Sequence, residues 1–316
     1  MLALVVALGA ATSCSQGGQS PASPTATKPA GPGFIAYWRA RSGNLEIVVM
    51  RPDGTHSQVI AEGTDPAWSP QGRYLAYDRE WSDSLEHCGN TYGCSEVWRL
   101  TLAARGDVTQ LSPSSLYAES PDWSPDGKQI AFDGRPNPTA RGMDIYVVPA
   151  GGGTATRLTR SHADEEDPSW SPDGTKIAYS SYGPNANRDS PDIYVMNADG
   201  SDPHAITTGP AFDYLPDWSP DGQHLVFQRQ YPSASPYWPN DEIVVVNADG
   251  NGLRRLTNTP RLDDGAAVWS PDGAHIVFAS DNGNVARLFV MSADGSDPKR
   301  LTRHQAERPA WGAWGS

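Results

Sequence analysis

The sequence predicts an all-β chain folded as a six-bladed β-propeller of four-stranded antiparallel blades, and three observations carry that prediction. The first is a period. Trp68, Trp123, Trp170, Trp218, Trp269 and Trp311 follow one another at intervals of 55, 47, 48, 51 and 42 residues, the spacing of stacked or radial repeats. The second is that each unit holds the same four short apolar segments. From Trp123 these are the tryptophan strand itself, "QIAF", "DIYVV" and "TRLT", β-branched and aromatic runs separated by Gly, Pro and Asp. The third is that the two ends complement each other. The first unit, "FIAYWRARSGNLEIVVM", has no tryptophan segment ahead of it, while "RPAWGAWGS" is a first strand with nothing after it. Pairing the two closes the ring and removes the edges an open array would leave exposed. A helical solenoid is excluded because no unit sustains a 3.6-residue periodicity.

Taken in order, the chain opens on "MLALVVALGAATSC", an apolar run of signal-peptide length that ends in small residues before a cysteine. It is too short to span a bilayer. It resembles a bacterial lipoprotein signal, which implies that residues 1–13 are removed and that Cys14 is lipidated as the mature N-terminus. An ordinary cleaved signal followed by a stray cysteine is the other reading. Residues 14–33 then comprise that cysteine and "SQGGQSPASPTATKPAGPG", a Ser/Pro/Gly-rich flexible tether. Residues 34–316 form the expected propeller.

Within it, "PDWSPDGKQIAF" from Pro121 recurs as "PSWSPDGTKIAY" from Pro168, "PDWSPDGQHLVF" from Pro216 and "AVWSPDGAHIVF" from Ala267. A further copy, "PAWSPQGRYLAY" from Pro66, carries Gln71 where the others carry aspartate. A catalytic group is needed once, whereas a folding unit can be repeated. WSPDG therefore reads as a turn, in which proline presets φ, aspartate bonds its own backbone and glycine takes φ > 0. Its tryptophan is inter-blade packing worth about 2 to 3 kcal/mol.

The PxWSPDG segment, followed by a strand and then by "YVMNADG", resembles the TolB-type propeller repeat over about residues 33 to 316. The resemblance implies a six-bladed propeller that binds other envelope proteins, peptides or, in some relatives, saccharides. That family carries an α/β domain ahead of the propeller, where this sequence has the tether.

Composition narrows the partners. The 316 residues are 38% hydrophobic, enough for a core and too little for a polytopic membrane protein. With 37 acidic and 24 basic side chains the net charge is −13, which disfavours nucleic acid. Membrane contact is expected only through the N-terminal lipid, the location periplasmic or cell-surface, and the state monomeric. Cys88 and Cys94, in "HCGNTYGCSE", read as a local disulfide in an oxidising compartment. A zinc site there lacks CxxC spacing and a second ligand pair.

Antiparallel connectivity puts WSPDG and the "NADG" turns on one face and the 2–3 and 4–1 loops on the other. The long 2–3 loops carry Trp81, Tyr92, Tyr182, Tyr231, Tyr237 and Trp238, aromatic residues on a rigid scaffold that suit binding. The same rings equally suit packing on one another to order the loops. The 4–1 loops place Asp65, Glu119, Glu166, Asp213, Asp264 and Glu307 around the mouth of the axial channel. Carboxylates gathered there repel unless solvated, protonated, or bridged by a cation or a basic group. Calcium or a basic segment of a partner polypeptide would satisfy them, and so would water around a rim that binds nothing.

No HExxH, GxSxG, P-loop or dinucleotide-binding motif is present. The expected function is a membrane-tethered, extracytoplasmic binding module for a protein, peptide or glycan, with no catalytic residue assigned. The alternative is a metal-dependent propeller hydrolase or lyase using the axial carboxylates.

Overall fold

The computed structural model describes residues 33–81, 94–102, 106–136, 142–161, 163–182, 190–231, 240–259 and 262–312, with only the backbone of Trp81. The chain runs β1 (Phe34–Arg41), β2 (Asn44–Met50), β3 (Gln58–Glu62), β4 (Thr64–Trp68), β5 (Tyr74–Trp81), β6 (Cys94–Thr101), β7 (Val108–Gln110), β8 (Tyr117–Trp123), β9 (Gln129–Arg135), β10 (Asp144–Pro149), β11 (Thr156–Arg157) and β12 (Glu165–Trp170). It continues through β13 (Lys176–Ser181), β14 (Asp192–Asn197), β15 (His204–Ala205), β16 (Phe212–Trp218), β17 (His224–Tyr231), β18 (Asn240–Asn247), β19 (Arg254–Arg255), β20 (Asp263–Trp269), β21 (His275–Asp281), β22 (Ala286–Ser292), β23 (Lys299–Arg300) and β24 (Glu307–Gly312).

These strands form six four-stranded antiparallel sheets. Blade 1 is β24-β1-β2-β3, and blades 2 to 6 take β4–β7, β8–β11, β12–β15, β16–β19 and β20–β23 in sequence order. The closing strand pairs with the first strand of the chain: Phe34 faces Gly312, Ile35 faces Trp311 and Ala36 faces Ala310. The ring is completed by innermost strands from successive blades, β24 lying against β4 on one side and β20 on the other.

Burial explains why the strand segments read as continuous apolar runs. Residues on alternate sides of a strand pack on different neighbours. Ile35, Tyr37, Val48 and Met50 of blade 1 cluster with Val277 and Leu288 of blade 6. Ala36, Ile47 and Val49 cluster instead with Trp68, Leu75 and Tyr77 of blade 2. Each sheet thus has two buried faces, and Trp68, Trp123, Trp170 and Trp218 are buried between blades.

The WSPDG segments close the β-turns between first and second strands. In one copy the Ser124 hydroxyl donates to Asp126 Oδ1 at 2.8 Å, Lys128 N donates to the same oxygen at 3.0 Å, and Gln129 N donates to Ser124 Oγ at 2.9 Å. The glycine sits at φ 71°. The same bonds recur around Asp173, Asp221 and Asp272. In blade 2 the serine bond survives, with Tyr74 N donating to Ser69 Oγ at 3.0 Å, although Gln71 replaces the aspartate.

Candidate functional site: the axial channel

Every innermost strand breaks its pairing register with its second strand, as between Glu166 and Ser169 or between Glu119 and Asp122. At each break one residue takes positive φ: Asp65 at 44°, Ser120 at 50°, Asp167 at 55°, Leu215 at 59°, Ala266 at 49° and Arg308 at 43°. These are β-bulges, and the extra residue turns its side chain toward the axis. The strain is recurrent, because a non-glycine residue rarely occupies this region and five of the six precede proline, which disfavours it further for most backbones.

Neighbouring blades hold the bulges in place. Asp167 N donates to Asp133 Oδ1 at 3.3 Å, Leu215 N to Ser180 Oγ at 3.1 Å and Ala266 N to Gln228 Oε1 at 3.1 Å, each acceptor coming from the preceding blade. Two residues further along, Asp122 accepts from Trp170 N at 2.7 Å and Asp217 from Trp269 N at 2.8 Å, again one blade on. The bulge residues, the prolines after them and these two aspartates line an axial cavity of about 210 Å³.

Inside it one cation meets a crowd of acids. Arg308 Nη1 donates to Asp167 Oδ1 at 2.8 Å, and its Nε lies 3.6 Å from Asp65 Oδ1. Burial raises the Asp65 pKa, against which Arg308 works. Burial also lifts Asp78 and Asp133 well above the ordinary carboxylate value, and nearby carboxylates add to it. Glu166 is pushed up to about 7 by burial and by Asp167, Asp164 and Glu119. Burial alone dominates for Asp122 at about 7 and Asp217 at about 8.

The six sequence-derived acidic positions fall on three levels. Asp65 occupies the bulge. Glu119, Glu166 and Glu307 stand one residue before it: Tyr117 Oη donates to Glu119 Oε1 at 2.6 Å, burial and then the nearby Glu166 carboxylate raise the Tyr182 pKa, and Gln305 Nε2 donates to Glu307 Oε1 at 2.8 Å. Asp213 and Asp264 stand two residues before it and are buried. Arg229 donates to both oxygens of Asp213, Nε and Nη2 each at 2.6 Å, and Thr259 Oγ1 donates to Asp264 Oδ2 at 2.6 Å. The residues the acidic count left out are Arg308, Ser120, Asp122 and Asp217. The repeated non-Gly residue ahead of proline was the available signal for the first two.

The donor set at the mouth does not fit calcium. Arg308 already bridges Asp65 and Asp167, and among the described residues no group of three or more His, Cys, Asp or Glu side chains is arranged to hold a metal ion. Of the aromatic loop residues, Tyr182 is half-buried beside Glu166, and Tyr231 stacks under the Arg255 guanidinium at 4.5 Å. Tyr92, Tyr237, Trp238, the Trp81 side chain, Cys14 and Cys88 lie outside the described residues; Cys94 opens β6 and is buried. Among the described residues no helix is long and apolar enough to cross a membrane.

Comparison with known proteins bears on this geometry. The TolB beta propeller domain pattern matches residues 34–314. The Tol-Pal system protein TolB of Francisella tularensis subsp. mediasiatica (strain FSC147) is 34% identical over 99 residues, 29% of this chain and 20% of that protein. The chain thus spans about a fifth of that relative in the matched region. The crystal structure of TolB from Acinetobacter baumannii superposes with a TM-score of 0.71 at 24% identity, covering 89% of this chain and 67% of that one. A putative TolB from Agrobacterium tumefaciens gives 0.63 at 23% identity, covering 87% and 91%. At these identities the two structures establish the shared fold.

Proposed function

The chain belongs to the TolB beta propeller domain family, and from that premise we propose that it is an extracytoplasmic module that binds a protein partner of the cell envelope through its loop face. The observation that carries this reading is the ionic bridge of Arg308 to Asp65 and Asp167 inside the channel. A channel crossed by its own ion pair presents a docking surface with a fixed charge pattern. Around it Glu119, Glu166 and Tyr182 present acceptors and an aromatic ring that suit a polypeptide segment bearing donors. In this reading Cys14 carries a lipid, residues 14–33 tether the propeller to a membrane, and Cys88 pairs with Cys94 to brace the second blade's loop.

Photo-crosslinking in the native envelope tests it. A photoreactive side chain at Tyr182, on the loop face, is expected to capture a discrete protein, and one at Lys128, on the turn face, to capture none. Equal or absent capture at both positions defeats the proposal. Metal-dependent turnover of a lactone or uronate panel would instead support the hydrolase or lyase alternative.

A further inference from the structure

The repeat supplies its own control for a second site. Five blades place an acid at the same point of the third strand: Glu46, Glu96, Asp144, Asp192 and Glu242 face Arg39, Arg79, Gly134, Ser181 and Arg229 across the ladder. That acid is buried or half-buried and has a hydrogen-bond or ionic partner within its own blade, an arginine for Glu46, Asp144 and Glu242, Gln110 for Glu96 and Thr207 for Asp192. Arg157 Nη2 reaches Asp144 Oδ2 at 2.6 Å, Arg39 Nη2 reaches Glu46 Oε2 at 2.8 Å, and Gln110 Nε2 donates to Glu96 Oε1 at 2.9 Å. In blade 5, Arg255 pairs with Glu242, whose Oε1 also accepts from Thr259 N at 2.8 Å.

Blade 6 reverses the charge. Facing Ser280, at this position, stands Arg287. The frame around it is unchanged, since Leu288 N donates to Thr302 Oγ1 at 3.0 Å as Ile243 N does to Thr257 Oγ1. Arg300 occupies the place of Arg255 in the fourth strand, so the arginine is kept and its carboxylate is lost. Among the described residues no carboxylate pairs with Arg41, Arg287, Arg300 or Arg303, and the Arg287 Nε is buried with no hydrogen-bond partner.

These groups converge. Arg39, Arg41, Arg287, Arg303, His304 and Gln305 line a recess of about 470 Å³ between blades 6 and 1, on the loop face. Arg39 is committed to Glu46, Gln305 to Glu307, and nearby Asp281 accepts from Gly283 N at 2.9 Å. Among the described residues, then, a protein of net charge −13 keeps Arg41, Arg287 and Arg303 in this hollow without a carboxylate partner. Arg41 and Arg303 are exposed and Arg287 is half-buried, its Nη1 donating to Val285 O at 3.4 Å, so the guanidinium forks remain open to a carboxylate, whose geometry they match.

We propose that this recess is a binding site for an acidic polypeptide segment, whose carboxylates supply what blade 6 lacks. An anionic membrane or other extended polyanion fits poorly, because the same face carries the carboxylate-lined mouth and the whole molecule is acidic. A short flexible segment enters the hollow without meeting that charge. The site deepens the protein-binding reading and rests on it.

The test uses the full chain and a fluorescently labelled hexaglutamate peptide, followed by anisotropy at low and high salt. The wild type is expected to bind in a salt-sensitive way, and Arg287→Glu and Arg303→Ala each to weaken binding about tenfold or more. Arg287→Glu restores the acid found in the other blades, so it retains the fold, checked by an unchanged or raised Tm. Arg254→Ala, on the turn side of blade 5, serves as the unaffected control. Equal affinity in Arg287→Glu, or tighter binding of inorganic phosphate or phosphatidylglycerol vesicles than of hexaglutamate, overturns the assignment. If hexaglutamate does not bind while Tyr182 still crosslinks an envelope protein, the recess fails and the protein-binding reading stands.

Discussion

Arg308 Nη1 lies 2.8 Å from Asp167 Oδ1, so a guanidinium carried by the closing strand reaches across the axis to the blade three places round the ring. The last strand therefore does two things. It supplies the missing inner strand of blade 1, and it places the counter-charge that lets Asp65 and Asp167 approach the axis together.

Removing that charge has a signed pH dependence. In Arg308→Met the carboxylates around the channel lose their cation, and Asp65, Asp78 and Asp133, already raised mainly by burial, rise further. Breaking a buried pair costs about 3 to 5 kcal/mol. The Arg308 side chain is 37% exposed, so solvent screening reduces this to about 2 kcal/mol near neutral pH. The deficit should shrink as pH falls and the acids protonate, measured by urea unfolding at about pH 5 and about pH 8. A pH-independent deficit would show that Arg308 acts through packing alone.

Asp122 and Asp217 make the wild type itself pH-sensitive. Burial raises them to about 7 and about 8, partly opposed by the backbone N–H groups of Trp170 and Trp269. A folded pKa above the unfolded value, near 4, contributes stability that is full below that value and is lost as pH rises through 7 to 8. The Tm should therefore decline from about pH 5 to about pH 9. The double variant Asp122→Asn/Asp217→Asn keeps a carbonyl acceptor for each N–H and removes the charge. It is expected to match wild type at low pH and exceed it at high pH; identical profiles would discard these two groups as the source.

For the turns the expectation is modest. Asp173→Ala loses the bonds from Ser171 Oγ at 2.7 Å and from Thr175 N at 2.9 Å, both at an exposed or half-exposed site. The loss should be about 1 kcal/mol by chemical denaturation, with partner capture at Tyr182 unchanged. Gln71 shows that one blade already folds without this carboxylate. A variant that folds normally yet fails to capture a partner would reopen the motif as a binding element.

The parts of the molecule that follow chain period and turn chemistry could be read in advance. Trp311 pairing beside Ile35, and the three bonds that the serine and aspartate make in each WSPDG turn, come from residues whose local chemistry permits little else. The channel lining could not be read in this way. A bulge adds a residue to one strand, so the alternation of side chains changes phase across it, and carboxylates counted back from proline land on different levels. Thus Asp65 reaches the axis, whereas Asp213 is turned to Arg229 and buried. Arg287 was hidden for another reason: its significance is visible only when the third strands are aligned by their ladders.

Ring closure itself is tested at Gly312. A Cβ added there would stand 2.3 Å from Trp68 Cβ and 2.4 Å from its Cγ, so the inner strands of blades 1 and 2 approach as closely as they do because no side chain intervenes. Trp68 cannot retreat, being packed with Ala36, Ile47, Leu75 and Tyr77. Gly312→Ala must push β24 away from β4, an overpacking cost of about 1 to 3 kcal/mol. The same displacement would draw Arg308 off Asp167, four residues along the strand from Gly312 in the case of the arginine. Two readouts should move together: a lower Tm, and a pH-dependent deficit like that of Arg308→Met. A lowered Tm without the pH signature would mean that the closing strand and the axial ion pair respond independently, whereas an unchanged Tm would show that β24 does not hold the ring shut.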